Sequence, residues 1–137
     1  MTLIRSAALP IAMSLLAVVA GYATLAIGST LVQEVWLGGV SYQQSPRSTL
    51  ILAGIFTPLC AFAGGAVAAA VGRRAPLWAG AALSMIIVVE STYLYATGRV
   101  DGPWWFEAGA AAALVVAVML ACWLLKVRPL AAQFRHP

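Results

Sequence analysis

The chain has 137 residues, 63% of them hydrophobic and 9% charged, with a mean hydropathy of +0.94. That balance excludes a disordered chain and a water-soluble globular domain, and it fits one integral membrane domain. The net charge of +4 would suggest nucleic acid in a soluble protein, but here the basic residues cluster at helix connections.

A helix needs about 20 apolar residues to cross the hydrocarbon core, and four such stretches follow one another. The first runs from Ser6 to Gly28. Arg5 before an apolar run resembles the start of a signal peptide. The run is about 20 residues, however, against roughly 7–15 for a signal-peptide apolar region, so a retained first helix is expected. Pro10 falls in its opening turns, where the missing N–H costs little. Ala17, Gly21 and Gly28 give it a small-residue face.

Residues Ser29 to Arg47 read as the one sizeable loop, on the outer side. Ser29 or Thr30 is expected to cap a short helix with Leu31, Val32, Val35 and Trp36 on one face, ended by Gly38 and Gly39. Such a piece lies on the membrane surface or covers the bundle end. The polar run Ser41–Ser48 is turn-like, or alternatively grips a partner.

The second stretch, Ser48–Val71, contains Pro58, which predicts a kink. Ala61, Gly65 and Ala69 follow at four-residue steps, with Gly64 and Ala68 beside them. Arg73 and Arg74 form a basic turn before Pro76. The third stretch, Leu77–Thr97, carries Gly80 and Ser84 and, well inside it, Glu90. A Gly-Arg-Val-Asp-Gly-Pro turn follows, with Asp101 expected to initiate it. The fourth stretch, Trp104–Leu125, has Glu107 in its first turn, where a carboxylate suits the helix dipole. Gly109, Ala113, Ala117 and Ala121 repeat along it.

The expected fold is therefore an all-α, four-helix transmembrane bundle. Arg5, Arg73, Arg74, Lys126, Arg128 and Arg135 fall on one side of it; Arg47 and Arg99 fall on the other. That bias predicts both termini in the cytoplasm. Trp36, Trp78, Trp104, Trp105 and Trp123 sit near span ends as interfacial anchors. The small-residue rows, with Gly21, Gly65, Gly80, Gly109, Ala113 and Ala117, let backbones approach where lipid gives no hydrophobic drive. They serve packing within the chain or, on the fourth helix above all, docking of another subunit.

Glu90 is the candidate functional residue, because an ionisable group at that depth is expensive. It lines a pathway and moves protons, or it makes a structural or subunit contact, or it pairs with Arg47 or Arg99. Cys60 and Cys122 lie at different depths without metal spacing, which argues against a disulfide or metal pair. His136 is the lone histidine and lies beyond the spans, so no haem or pigment ligand is available within them. No nucleophile–base pair, GxGxxG or Walker motif is present, so neither an enzyme nor a cofactor is expected.

The runs VVAGY (Val18–Tyr22), GGAVAAAVGRRAPLWAG (Gly64–Gly80) and GPWW (Gly102–Trp105) resemble a group of small bacterial four-span membrane proteins. The resemblance implies the fold and a bacterial inner membrane, and no activity. Small multidrug resistance transporters also have four spans and a membrane glutamate, but theirs lies in the first helix, where this chain has no acid. The expectation is a non-catalytic accessory subunit of a membrane complex, respiratory or photosynthetic, whose partners are lipids and other membrane subunits. The rival is a small oligomeric transporter or channel using Glu90; a lipid-binding or stress-related protein is a third reading.

Overall fold

The computed structural model describes residues 2–133, with side chains described over 12–127. The side chains of Arg5, Pro10 and Arg128, and all of Arg135 and His136, lie outside the described residues. The described chain is all-helical. Helix α1 spans Thr2–Thr30 and passes directly into a π-helical segment, Leu31–Trp36; α2 spans Arg47–Val71, α3 Pro76–Ala96 and α4 Trp104–Gln133. Four segments are long and apolar enough to cross a membrane: Ala12–Trp36, Arg47–Val71, Pro76–Ala96 and Trp104–Val127.

The first of these departs from the sequence expectation. There is no separate capped helix after residue 28. Thr30 has helical dihedrals and makes no side-chain cap, and the Ser29 hydroxyl donates back to the Ala26 carbonyl at 3.1 Å. The helix widens by one residue per turn instead, with Leu37 N–H donating to the Val32 carbonyl at 3.0 Å. The physical reason is that an apolar surrounding leaves backbone groups no partner but each other, so helix continues where polar side chains suggested a break. Gly38 and Gly39, at φ +70° and +91°, end it.

The other boundaries follow local chemistry. Pro46 precedes α2, and the Gly72 N–H closes it on the Ala68 carbonyl at 2.8 Å. Arg73 Nε donates to the Ala70 carbonyl at 3.1 Å, a cation on the last free carbonyls. Pro76 opens α3 at its first position, where its fixed φ suits a helix start. Gly98, at φ +66°, ends α3: Gly98 N–H bonds Tyr95 O and Arg99 N–H bonds Leu94 O, the Schellman pattern. Helix α2 runs unbroken through Pro58.

The helices form a ring in the order α1, α2, α4, α3. Helix α2 packs most on α1 and α4, and α3 on α4, whereas α1 and α3 touch only lightly and α1 and α4 not at all among the described residues. Small residues make these contacts. A Cβ on Gly21 would stand 2.7 Å from the Ala68 Cβ, and one on Gly65 would stand 2.7 Å from the Val118 carbonyl. One on Gly80 would meet Cys122 Sγ at 2.7 Å. The buried core is Ala17, Leu25, Ala61, Ala68, Leu83, Ile87, Val118 and Cys122 with their neighbours. It lies toward the end of the bundle that carries the Arg73–Arg74 turn, so the helices are closest there. The opposite end, carrying residues 37–46 and 97–103, is called the loop end below.

Candidate functional site

Two features stand out from the packed core. The first is a cleft of about 630 Å³ at the loop end, between α2, α3 and α4. It exists because the small residues that bring α2 and α4 together at Gly65 give way, nearer the loops, to positions that meet nothing. A Cβ at Gly54 or Gly109 would have no atom within 4 Å. Its walls are apolar, with Leu50, Leu94 and Leu114, and its polar groups are Gln33, Tyr42, Thr57, Ser91, Arg99, Asp101 and Glu107.

Each polar group has a structural cause. The π-helical segment carries Gln33 toward α2, where its amide donates to Thr57 Oγ1 at 2.9 Å. Pro58 has no N–H, so the Gly54 carbonyl one turn earlier lacks its helical donor, and Gly54 has no side chain to cover it. Glu107 accepts a hydrogen bond from the Gly102 N–H. Arg99 follows the glycine that ends α3.

The cleft has a fixed rim. The Asp101 carboxylate accepts hydrogen bonds from the Ser41 hydroxyl, from Tyr42 N–H at 2.9 Å and from Gln43 N–H at 3.3 Å. Gln43 Nε2 returns a bond to the Asp101 carbonyl at 3.2 Å. The Ser41 hydroxyl holds the Asp101 carboxyl below its usual range, helped by the Tyr42 and Gln43 amides. Asp101 thus joins the two loops, and does more than begin its own turn. Tyr42 lies against Phe106, with ring centroids 4.7 Å apart, and edge-on to Trp105 at 6.4 Å.

The second feature is Glu90. It is exposed on α3, and Tyr22 of α1 donates its hydroxyl to Glu90 Oε2 at 2.9 Å. Neither Arg47 nor Arg99 forms an ion pair with it among the described residues. Glu90 does not line the cleft, although its neighbour Ser91 does. The carboxylate therefore belongs to the weak α1–α3 edge and the cleft to the other side of α3.

The small residues singled out in the sequence divide between two environments. Gly21, Gly65 and Gly80 are buried in helix–helix contacts, and Ala117 packs half-buried against the core. Gly109 and Ala113 are exposed and line the cleft. Trp36, Trp104 and Trp105 stand exposed at the loop end, Trp36 edge-on to Phe56 at 4.8 Å. Trp78 and Trp123 are exposed toward the other end. Cys60 and Cys122 are free thiols in separate interfaces, and Cys122 Sγ bonds the Gly65 carbonyl at 3.4 Å. No group of three or more metal-ligating side chains occurs among the described residues.

Sequence reasoning did not find Tyr22 as the partner of Glu90, nor the cleft. Gly54 four residues before Pro58 was the one local signal for the cleft, since it marks an uncovered carbonyl inside a span. No protein-family model matches the chain, and no curated protein or solved structure matches it at a significant level.

Proposed function

We propose that this chain is a non-catalytic accessory subunit of a larger membrane assembly, of respiratory or photosynthetic type, in a bacterial inner membrane. Both termini face the cytoplasm in this reading, following the distribution of arginine and lysine. The observation that carries it is Glu90. Its carboxylate stands exposed at membrane depth with, among the described residues, a single phenol as donor, and a polar group facing lipid is costly until another chain covers it. The weak α1–α3 edge around it is the contact face, and the protein binds no cofactor of its own.

The test is purification of the tagged native protein in a mild detergent, with native electrophoresis and mass identification of what accompanies it. Stoichiometric unlike membrane subunits, lost on Glu90→Leu, support the proposal. A homo-oligomer alone refutes it. That result favours the second reading, a small oligomeric transporter or channel with Glu90 as its intramembrane acid, for which the Tyr22–Glu90 hydrogen bond is the supporting geometry. There, Glu90→Gln abolishes transport in vesicles while leaving folding intact.

A further inference from the structure

We propose that the cleft at the loop end seats the headgroup and part of one acyl chain of a phospholipid with a primary-ammonium headgroup. The volume of about 630 Å³ falls within the roughly 300–1,000 Å³ of ligand pockets. Its composition is graded as an amphiphile is graded. Ala53, Gly109, Ala110 and Ala113 give smooth walls without side-chain bulk, and Leu114 adds an apolar surface, which suits an acyl chain.

The polar groups select the headgroup. Arg99, the cation among the described lining residues, meets a phosphate. Glu107, one turn into α4, keeps carboxylate lone pairs beyond the one taken by the Gly102 N–H. That remaining acceptor capacity calls for N–H donors. A primary ammonium supplies three of them. A choline headgroup carries the same charge and has no N–H; a glycerol headgroup has no positive charge to set against Glu107. The Thr57 hydroxyl accepts from Gln33 and keeps its own proton for an ester carbonyl deeper in the cleft.

The experiment adds phosphatidylethanolamine, phosphatidylcholine and phosphatidylglycerol of matched chains to the delipidated full-length protein in detergent. Retained lipid is counted by native mass spectrometry. One ethanolamine lipid is expected to bind about tenfold more tightly than either rival, the effect of one charge-assisted hydrogen bond set. Glu107→Gln should remove that preference. Gly109→Leu, whose side chain grows into open space, should lose the bound lipid with helicity unchanged. Equal retention of the three lipids, or Gly109→Leu retaining lipid as the native chain does, means annular lipid only and overturns the proposal. If Gly109→Leu does not fold, the headgroup ranking with and without Glu107→Gln decides alone.

Discussion

Adding one methyl group at Gly65 and one at Gly109 should have opposite effects on stability. Both glycines lie in the interior of long helices, so alanine at either reduces backbone freedom in the unfolded chain, a gain of about 0.5–1 kcal/mol. At Gly109 nothing opposes that gain, because the added Cβ meets no atom within 4 Å. At Gly65 it would stand 2.7 Å from the Val118 carbonyl and 2.9 Å from the Val118 Cα, both of them backbone atoms that cannot rotate aside. Overpacking of this kind costs about 1–3 kcal/mol. Gly65→Ala should therefore be destabilised by about 1 kcal/mol net, and Gly109→Ala stabilised by about 0.5 kcal/mol. Helicity followed by circular dichroism during denaturation by dodecyl sulfate in mixed micelles measures both. Two variants shifted by the same amount in the same direction would refute the claim that α2 and α4 touch at one end and part at the other.

Tyr22→Phe should cost about 0.5–1.5 kcal/mol in the same assay, because Glu90 loses its one donor among the described residues. The double variant with Glu90→Leu should recover most of that loss, and if it does not, the two side chains are not coupled. Ser84→Ala should stabilise by about 1 kcal/mol, since the Ser84 hydroxyl is buried without a hydrogen-bond partner among the described residues. A lower midpoint in that variant would mean that the hydroxyl has a partner after all. Asp101, whose carboxyl is held below its usual range in the folded chain, stabilises the loop junction fully above the unfolded pKa near 4. That contribution is lost as pH falls through the lower folded value. Protection of the Tyr42 and Gln43 amides relative to intrinsic exchange should fall over that acid window, and Asp101→Asn should abolish that fall.

The helices were legible because each span is a long, predominantly apolar run, and Gly98 and Pro76 punctuate them as glycine and proline do elsewhere. After Gly28 the helical stretch Leu31–Trp36 and its Gly38–Gly39 end were legible, but its continuity with α1 was not. Gln33 and Glu34 beside Ser29 and Thr30 carry the signals of a soluble loop, yet in an apolar setting the backbone gains more by staying helical, with Ser29 bonded back to Ala26. Glu90 could be recognised from its own position. Its partner could not, because Tyr22 lies 68 residues away and their meeting depends on which helices are neighbours. The cleft was hidden for a related reason. Glycines at 54 and 109 look the same in sequence as those at 65 and 80, and only the divergence of α2 from α4 separates open from closed positions.

The junction at Asp101 also bears on how the protein is made. Its carboxylate takes the Tyr42 amide, 59 residues earlier in the chain. At about 5–20 residues per second, a ribosome needs roughly 3–12 seconds to travel that far. Helices α2 and α3 are synthesised during that interval, and until Asp101 is made the Tyr42 and Gln43 amides lack their carboxylate partner. Asp101 arrives between α3 and α4, before α4 itself has been synthesised. The two loops can therefore be tied while the last helix is still entering the membrane, which would hold α4 beside α2 from its first turn.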